Sequence, residues 1–312
     1  MNSDESIKKS LSQASGISHD LFSKKDVAHL FIHHNKVVSL QGVPGLIIEP
    51  MEIQDGIDLK IRLKKNTVVT NPVHMCFGLM HKEGIQRINM AITIEDRSSI
   101  QILAHCTFPN AEKIQHLMNA KINIGKHASY SYTERHIHGD SGGITVVPKA
   151  TIHLQDHARY KTDFELLKGR VGHIDIDYET FCGPYSVLEM NAKVNATHTD
   201  IVHIKEKGHL NGEHAHGVLL SRVAVRDDAT AEVYSELTAS AAYARGHVDC
   251  KEIVQDNGVV SAVPIVKVNH PKAHITHEAS LGSVDSKQLQ TLMARGLDEE
   301  KATDLIIQGL LR

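Results

Sequence analysis

Three small residues, Ser98, Ala128 and Ala158, stand 30 positions apart, and each closes a polar turn: Asp96-Arg97-Ser98, Lys126-His127-Ala128 and Asp156-His157-Ala158. Asp227-Asp228-Ala229 repeats the turn further along. Around these turns lie short period-two runs: Ile57-Asp58-Leu59-Lys60-Ile61, Ile92-Thr93-Ile94, Ile100-Gln101-Ile102, Ile122-Asn123-Ile124, Tyr130-Ser131-Tyr132, Ile174-Asp175-Ile176, Val223-Ala224-Val225 and Val266-Lys267-Val268. Alternation over so few residues describes strands with one buried face. A fixed period carrying one strand-turn-strand signature describes a solenoid. Composition agrees, because the chain has no Trp and only 4% aromatic residues. A thin coil is filled by Val, Ile and Ala, whereas a sandwich buries more large rings. The period loosens after Tyr160, so periodicity alone leaves a sandwich or a cupin-like barrel open.

Helices are expected in three places. Residues 1–35 form an N-terminal helical segment with Ile7, Leu11, Leu21, Phe22, Val27 and Leu30 among charges, and Ser23 caps a helix over 24–34. A helix over Ala111–Ala120, with Ile114, Leu117 and Met118 on one face, interrupts the strand-rich core of 36–283. In the tail, 284–312, Ser286 caps a helix with a Leu289, Leu292, Met293 stripe that ends at Arg295-Gly296. Asp298 caps a second helix, with Glu299 and Glu300 at its positive end and Ala302, Leu305, Ile306 and Leu310 on its apolar face. Two short amphipathic helices need a surface to pack on. The edges of a solenoid also need cover or pairing, which here means helices over the ends and an edge joined to another copy.

The 34 basic and 37 acidic residues of this 312-residue chain give a net charge of −3, so nothing in the charge favours nucleic acid or an anionic membrane. Cys76, Cys106, Cys182 and Cys250 form no paired spacing, which argues against a disulfide framework or zinc ribbon and for a reduced, cytoplasmic protein. No apolar run reaches the length of a membrane span or a signal core. Gly125-Lys126 is followed by His127, so there is no P-loop, and no GxGxxG or GxSxG occurs. The chain is not its own ATPase.

Histidine, at 23 residues, is the unusual component. It clusters at His33-His34, at His136 and His138, at His153 and His157, at His209, His214 and His216, and at His270, His274 and His277. Glu213-His214-Ala215-His216 is similar to part of a cupin metal motif, since His-x-His on a strand aims both rings one way. A mononuclear-metal enzyme, β-helical or cupin-like, is the reading these clusters support. Cys250 is flanked by Lys251, and a neighbouring ammonium favours the thiolate that iron binds.

Residues 245 to 312 carry Arg245, Cys250, Pro264, Val268, Pro271, His277-Glu278-Ala279, Gln288-Leu289, Arg295-Gly296 and Gly309 in order. This pattern resembles the C-terminal region of the SufB/SufD family, the scaffold subunits of Suf iron-sulfur cluster assembly, and the likeness extends more weakly through the strand-rich middle. The resemblance implies an all-β core folded as a right-handed parallel β-helix with N-terminal and C-terminal α-helical segments. It implies a non-enzymatic scaffold that builds a transient iron-sulfur cluster and passes it to apo-proteins, fed by a sulfur donor. Cys250, His277 and Glu278 fall on the family's cluster-site residues, and Cys106, in Ala104-His105-Cys106-Thr107-Phe108-Pro109, is a second metal or sulfur-entry candidate. Pairing through the β-helix cores implies a homodimer, whose two cysteines and harder, exchangeable ligands would hold a cluster meant to be released. The tail helices imply docking of a SufC-like ABC-type ATPase through Leu289, Leu292, Met293, Leu305 and Ile306. A SufD-like structural partner with no cluster is the variant within the same family.

Overall fold

The structure is a computed structural model that describes residues 3–17, 22 and 24–311. After helix α1 (Ser3–Ala14) come nineteen strands: β1 (His29–His33), β2 (Lys36–Gln41), β3 (Leu46–Ile53), β4 (Gly56–Leu63), β5 (Val73–Gly78), β6 (Glu83–Ile94), β7 (Ser99–Phe108), β8 (Lys113–Ile124), β9 (Ser129–His138), β10 (Ile144–Leu154), β11 (Arg159–Lys168), β12 (His173–Cys182), β13 (Val187–Ala196), β14 (Ile201–Leu210), β15 (His216–Val225), β16 (Thr230–Ala239), β17 (Arg245–Val254), β18 (Val259–Val268) and β19 (His274–Gly282). Helices α2 (Ser286–Met293) and α3 (Glu299–Leu310) close the described chain. Odd-numbered strands from β5 to β19 stack in one parallel sheet and even-numbered strands from β4 to β18 in another. Each coil thus gives one strand to each sheet, and the two sheets face each other across a lumen: a parallel β-helix, as expected. Among the described residues no helix is long and apolar enough to cross a membrane.

The repeat comes from the corners. Arg97, His127, His157, Tyr185, His214 and Tyr243 occupy equivalent turns, all with positive φ between 54° and 59°. Their spacings of 30, 30, 28, 29 and 29 residues explain why the period loosens after Tyr160. Each left-handed residue from Arg97 to His214 donates its N–H to a carbonyl in the next coil's turn, which locks corner to corner. The side chains then stack as a ladder, His127, His157, Tyr185, His214, Tyr243, with ring centres 4.6 to 4.9 Å apart and planes within 26°. That spacing is the strand separation itself. The Lys272 ammonium lies 5.2 Å from the Tyr243 ring and closes the ladder. His214 is therefore a turn residue inside a stack, outside β15, and the two-histidine strand geometry expected for Glu213–His216 does not form.

The eight alternating runs all lie in strands. Two expected helices are strands instead. Most of 111–120 belongs to β8 (Lys113–Ile124), where Ile114, His116, Met118, Ala120, Ile122 and Ile124 all point inward and are buried. His116 is fully buried on this inner face, and Leu117, which the helical stripe required, is not, so the true period is two. The Ser23 cap lies outside the described residues, and within the helix expected over 24–34 the segment His29–His33 is β1, paired parallel with β5. Helix α1 does form, and its Leu11 packs with Phe22, Phe31 and Cys76.

The two ends differ. Sheet one ends in the antiparallel pair β1–β2 and sheet two in β3–β4 at the N-terminal side, with α1 packed on β2 and β5. On the C-terminal side the last strands are β18 and β19, each paired on one edge alone among the described residues.

Candidate functional site

Cys250 lies on β17, in register with Ser221 of β15 and Ala279 of β19, and is fully buried. Facing it from the other sheet are Glu206 and Ser235, themselves in register on β14 and β16. Two residues on, Glu252 shares the inner face and accepts from the Ser221 hydroxyl at 2.8 Å. Burial pushes the Cys250 thiol up, while the hydroxyls of Ser221 and Ser235 pull it back. Burial also raises the Glu252 carboxyl to about 7 and the Glu206 carboxyl to about 8. Each of these carboxyls has one oxygen with no hydrogen-bond partner among the described residues. Lys251 does not activate the thiol. Neighbours on a strand alternate faces, so its ammonium lies outside, 3.5 Å from Asp249.

Parallel pairing keeps in-register residues on one face, which places the other two C-terminal candidates. His277 pairs with Val248 and so takes an inner-face position, diagonal to Cys250 at the open end. Glu278 pairs with Asp249 on the outer face. Within one chain, Cys250 and His277 are brought to one side of the sheet and Glu278 to the other. Cys106 is elsewhere: five strand steps separate β7 from β17, about 24 Å at 4.8 Å per strand.

The tail lies against the last coils. Asp285, one residue before the expected cap, accepts from the Gln288 N–H, and Asp298 caps α3 by accepting from the Lys301 N–H. Gly296, at φ 96°, makes the left-handed turn between the helices. Ala302, Thr303 and Ile307 form the buried face of α3, and Arg226 holds Asp304 at 2.6 Å. The packed face is thus rotated from the expected Ala302, Leu305, Ile306, Leu310 set, and Leu305 remains 45% exposed. Leu292, Leu305 and Ile306 line a groove of about 600 Å³ against Lys251, Glu252 and Ile253, while Met293 is exposed and Leu289 is half-buried against Val284 and Ile307.

A second constellation is buried in the first half of the lumen. Cys106, Glu134 and His136 present ligand atoms within 4.8 Å of one another. His136 Nε2 is 2.7 Å from Glu134 Oε1, His136 Nδ1 is 3.2 Å from His138 Nε2, and His138 Nδ1 is 3.1 Å from the Arg170 carbonyl oxygen. The chain of donors has one solution with neutral rings. A carbonyl only accepts, so His138 carries its hydrogen on Nδ1 and His136 donates to His138 Nε2. His136 Nε2 is then bare, and the Glu134 carboxyl donates to it. Burial drives the protonation states the same way, raising Glu134 to about 7 and lowering His136 to about 3. His116 is fully buried beside them, and neither of its nitrogens has a hydrogen-bond partner among the described residues. Glu134, Glu206 and Glu252 were not singled out from the sequence. For Glu134 and Glu252 the signal was period two: Glu134-x-His136-x-His138 and Cys250-x-Glu252 each place all their members on one inner face.

Cys76 and Cys182 are buried, with burial pushing both thiols up to about 12, as suits packing residues.

The family model for SUF system FeS cluster assembly, SufBD core domain, matches residues 79–310. An iron-sulfur cluster assembly SufBD family protein of Methanocaldococcus jannaschii is 39% identical over 282 residues, covering 90% of this chain and 89% of that protein. One from Pyrococcus horikoshii is 37% identical over 296 residues, covering 95% and 90%. The iron-sulfur cluster assembly protein SufB of Bacillus subtilis is 33% identical over 69 residues, 22% of this chain and 15% of that protein.

Proposed function

The chain belongs to the SufBD family of iron-sulfur cluster assembly proteins, and from that premise we propose that it is a scaffold subunit whose open C-terminal end pairs with a second copy and builds a labile cluster there. The observation that carries this reading is the unfinished end itself. Strands β18 and β19 each leave an edge unpaired among the described residues, with Val259 62%, Val268 49% and Leu281 47% exposed. A free parallel edge with apolar side chains is a template for another chain. A two-fold axis would set these edges antiparallel to their copies and continue both sheets across the seam.

The cluster is cargo. Each chain offers one thiol there, so two copies supply two thiolates, with His277 as an exchangeable inner-face ligand. Glu278, on the outer face, joins from the rim of the seam. Nitrogen and oxygen donors release iron more readily than a four-thiolate set, which suits a protein that hands its cluster on. The unpaired oxygen of Glu252, whose carboxyl burial raises to about 7, supplies a proton acceptor beside the Cys250 thiol when it binds iron. In this reading the groove between the tail and the last coils receives the ABC-type ATPase, and Leu289, Leu292, Met293, Leu305 and Ile306 lie in or beneath that contact. Nucleotide-driven movement of the partner would tilt the tails and shear the seam.

Anaerobic reconstitution with iron and sulfide tests the cluster. The sulfide-to-iron absorption bands should form in the wild type and vanish in Cys250→Ala; bands that persist in the variant would refute the site. If both proteins lack a cluster yet still assemble with a paralogue, the chain is the SufD-like structural partner. Removing 284–312 should abolish ATPase binding and leave the strand content unchanged.

A further inference from the structure

Cys106, Glu134, His136, His116 and His138 take no part in the reading above: along the sheet Cys106 is about 24 Å from Cys250, and Glu134, His136 and His138, on β9, are four strand steps or about 19 Å away. We propose that Cys106, Glu134 and His136 form a resident site for a single divalent first-row transition-metal ion, with His116 as fourth ligand and His138 as the partner that orients His136. The site uses neither the seam nor the tail, so it stands or falls independently of cluster assembly.

Geometry is the first support. Cys106 and His136 are in register on β7 and β9, and Glu134 lies two residues before His136, so strand alternation delivers all three to one patch of lumen wall. Their donor atoms lie within 4.8 Å of one another, close enough to share one ion. Charge is the second. A thiolate and a carboxylate together cancel a divalent cation, so the loaded site is neutral in surroundings where an uncompensated charge would be expelled. A monovalent or trivalent ion would leave a net charge. The thiolate and imidazole donors select zinc or ferrous iron over magnesium or calcium.

The surroundings are built as metal sites are. His136 Nδ1 is committed to His138 Nε2 at 3.2 Å, and His138 is fixed by the Arg170 carbonyl at 3.1 Å, which leaves His136 Nε2 as the ligating atom. The ion would replace the hydrogen between Nε2 and Glu134. His116 is the independent sign. It is a fully buried imidazole with both nitrogens unpartnered among the described residues, and its ring centre is 5.9 Å from that of His136. Buried polar groups usually find partners; His105, stacked on His74, shares this orphaned state, but His116 is the orphaned imidazole beside His136, where a fourth ligand position accounts for it. Phe108, 4.8 Å from His116 and 5.8 Å from His138, supplies the apolar wall.

The test uses the full chain, produced in cells supplied with Zn2+ or Co2+ and dialysed against a weak chelator. About one ion per chain should remain, with a thiolate-to-cobalt charge-transfer band for Co2+. Both should survive Cys250→Ser and disappear in Cys106→Ser. His138→Gln should keep the band and weaken affinity about 10- to 100-fold. Histidines on the surface bind Co2+ without a thiolate band, so they cannot mimic the result. Zn2+ should raise the unfolding midpoint of the wild type and leave that of Glu134→Gln unmoved. Should Cys106→Ser fail to fold, Glu134→Gln, which retains a donor to His136, carries the comparison. A wild type that retains no ion, a band that persists without Cys106, or a band lost with Cys250 would overturn the proposal, the last by moving the thiolate site to the C-terminal end.

Discussion

At the N-terminal end the two sheets stop in the antiparallel pairs β1–β2 and β3–β4, and Phe22 packs edge-on against Phe31 at 4.7 Å under α1. At the C-terminal end they stop in the parallel strands β18 and β19, whose free edges meet no other strand among the described residues. The lumen beneath the two ends differs as well, apart from the buried Glu134–His136 group between them. Beneath the closed end it is filled by Ile57, Leu59, Ile61, Met75 and Phe77, all essentially inaccessible. Towards the open end it carries Glu206, Ser221, Ser235, Cys250 and Glu252. A solenoid that only needed to be soluble would close both ends and fill both with hydrocarbon, since each free edge invites association and each buried carboxyl costs stability. On the proposed reading, closure at one end and polarity at the other separate the part that folds the protein from the part that acts.

That division predicts unequal costs for truncating apolar side chains at the two ends. Phe31→Ala at the closed end should lose about 3–5 kcal/mol in urea unfolding. Val266→Ala, half-buried on the open-end inner face, should cost under about 1 kcal/mol in dilute protein, where any pairing is absent. Equal costs would erase the contrast. Val266→Arg sharpens it. In a single chain the guanidinium reaches water through the open end, whereas across a seam it would be buried without a partner, weakening self-association by about 3 kcal/mol. Sedimentation velocity reads this directly, and an unchanged dimer would place the seam elsewhere.

These contrasts were only partly legible in the letters. The alternating runs named strands correctly because apolar or aromatic residues, mostly Ile and Val, occupied every inward position there. Over 111–120 the inward His116 interrupts the apolar alternation, and Leu117 with Ile114 and Met118 completed a false helical stripe. The failing is general: a buried polar residue is identified by its surroundings, which come from other coils. Glu206 has no neighbour in sequence that explains it; it faces Ser235 and Cys250 only after the chain has wound round. Cys250 and His277 were singled out through the family resemblance, and Lys251 was misassigned because sequence adjacency on a strand means opposite faces. The tail caps were legible to within one residue, Asp285 replacing Ser286, because capping is local.

Glu206 gives the next effect in size. Its folded carboxyl titrates near 8, raised by burial, against about 4.5 when unfolded. Between these values the folded state holds the extra proton, so stability falls as pH rises from about 4.5 towards 8. Glu206→Gln should therefore match the wild type near pH 5 and exceed it by about 2–3 kcal/mol at pH 7, with a flatter profile. A variant no more stable at pH 7 than at pH 5, relative to wild type, would mean that the open-end lumen is hydrated and that its polarity carries no cost.

The smallest effect concerns how each end holds its helices. Leu11 anchors α1 in a buried cluster, but α2 has no buried residue and depends on Asp285 accepting the Gln288 N–H at 2.7 Å. Asp285→Ala should cost about 1 kcal/mol, and locally. Amide exchange in α2 should then accelerate about 5-fold, while α3, pinned by Ile307 and the Arg226–Asp304 pair, keeps its protection. The unfolding midpoint of the solenoid should not move. A tail built to be shifted by a partner needs a helix that yields without loosening the coils beneath it, and a drop in global stability would show instead that α2 is part of the cap.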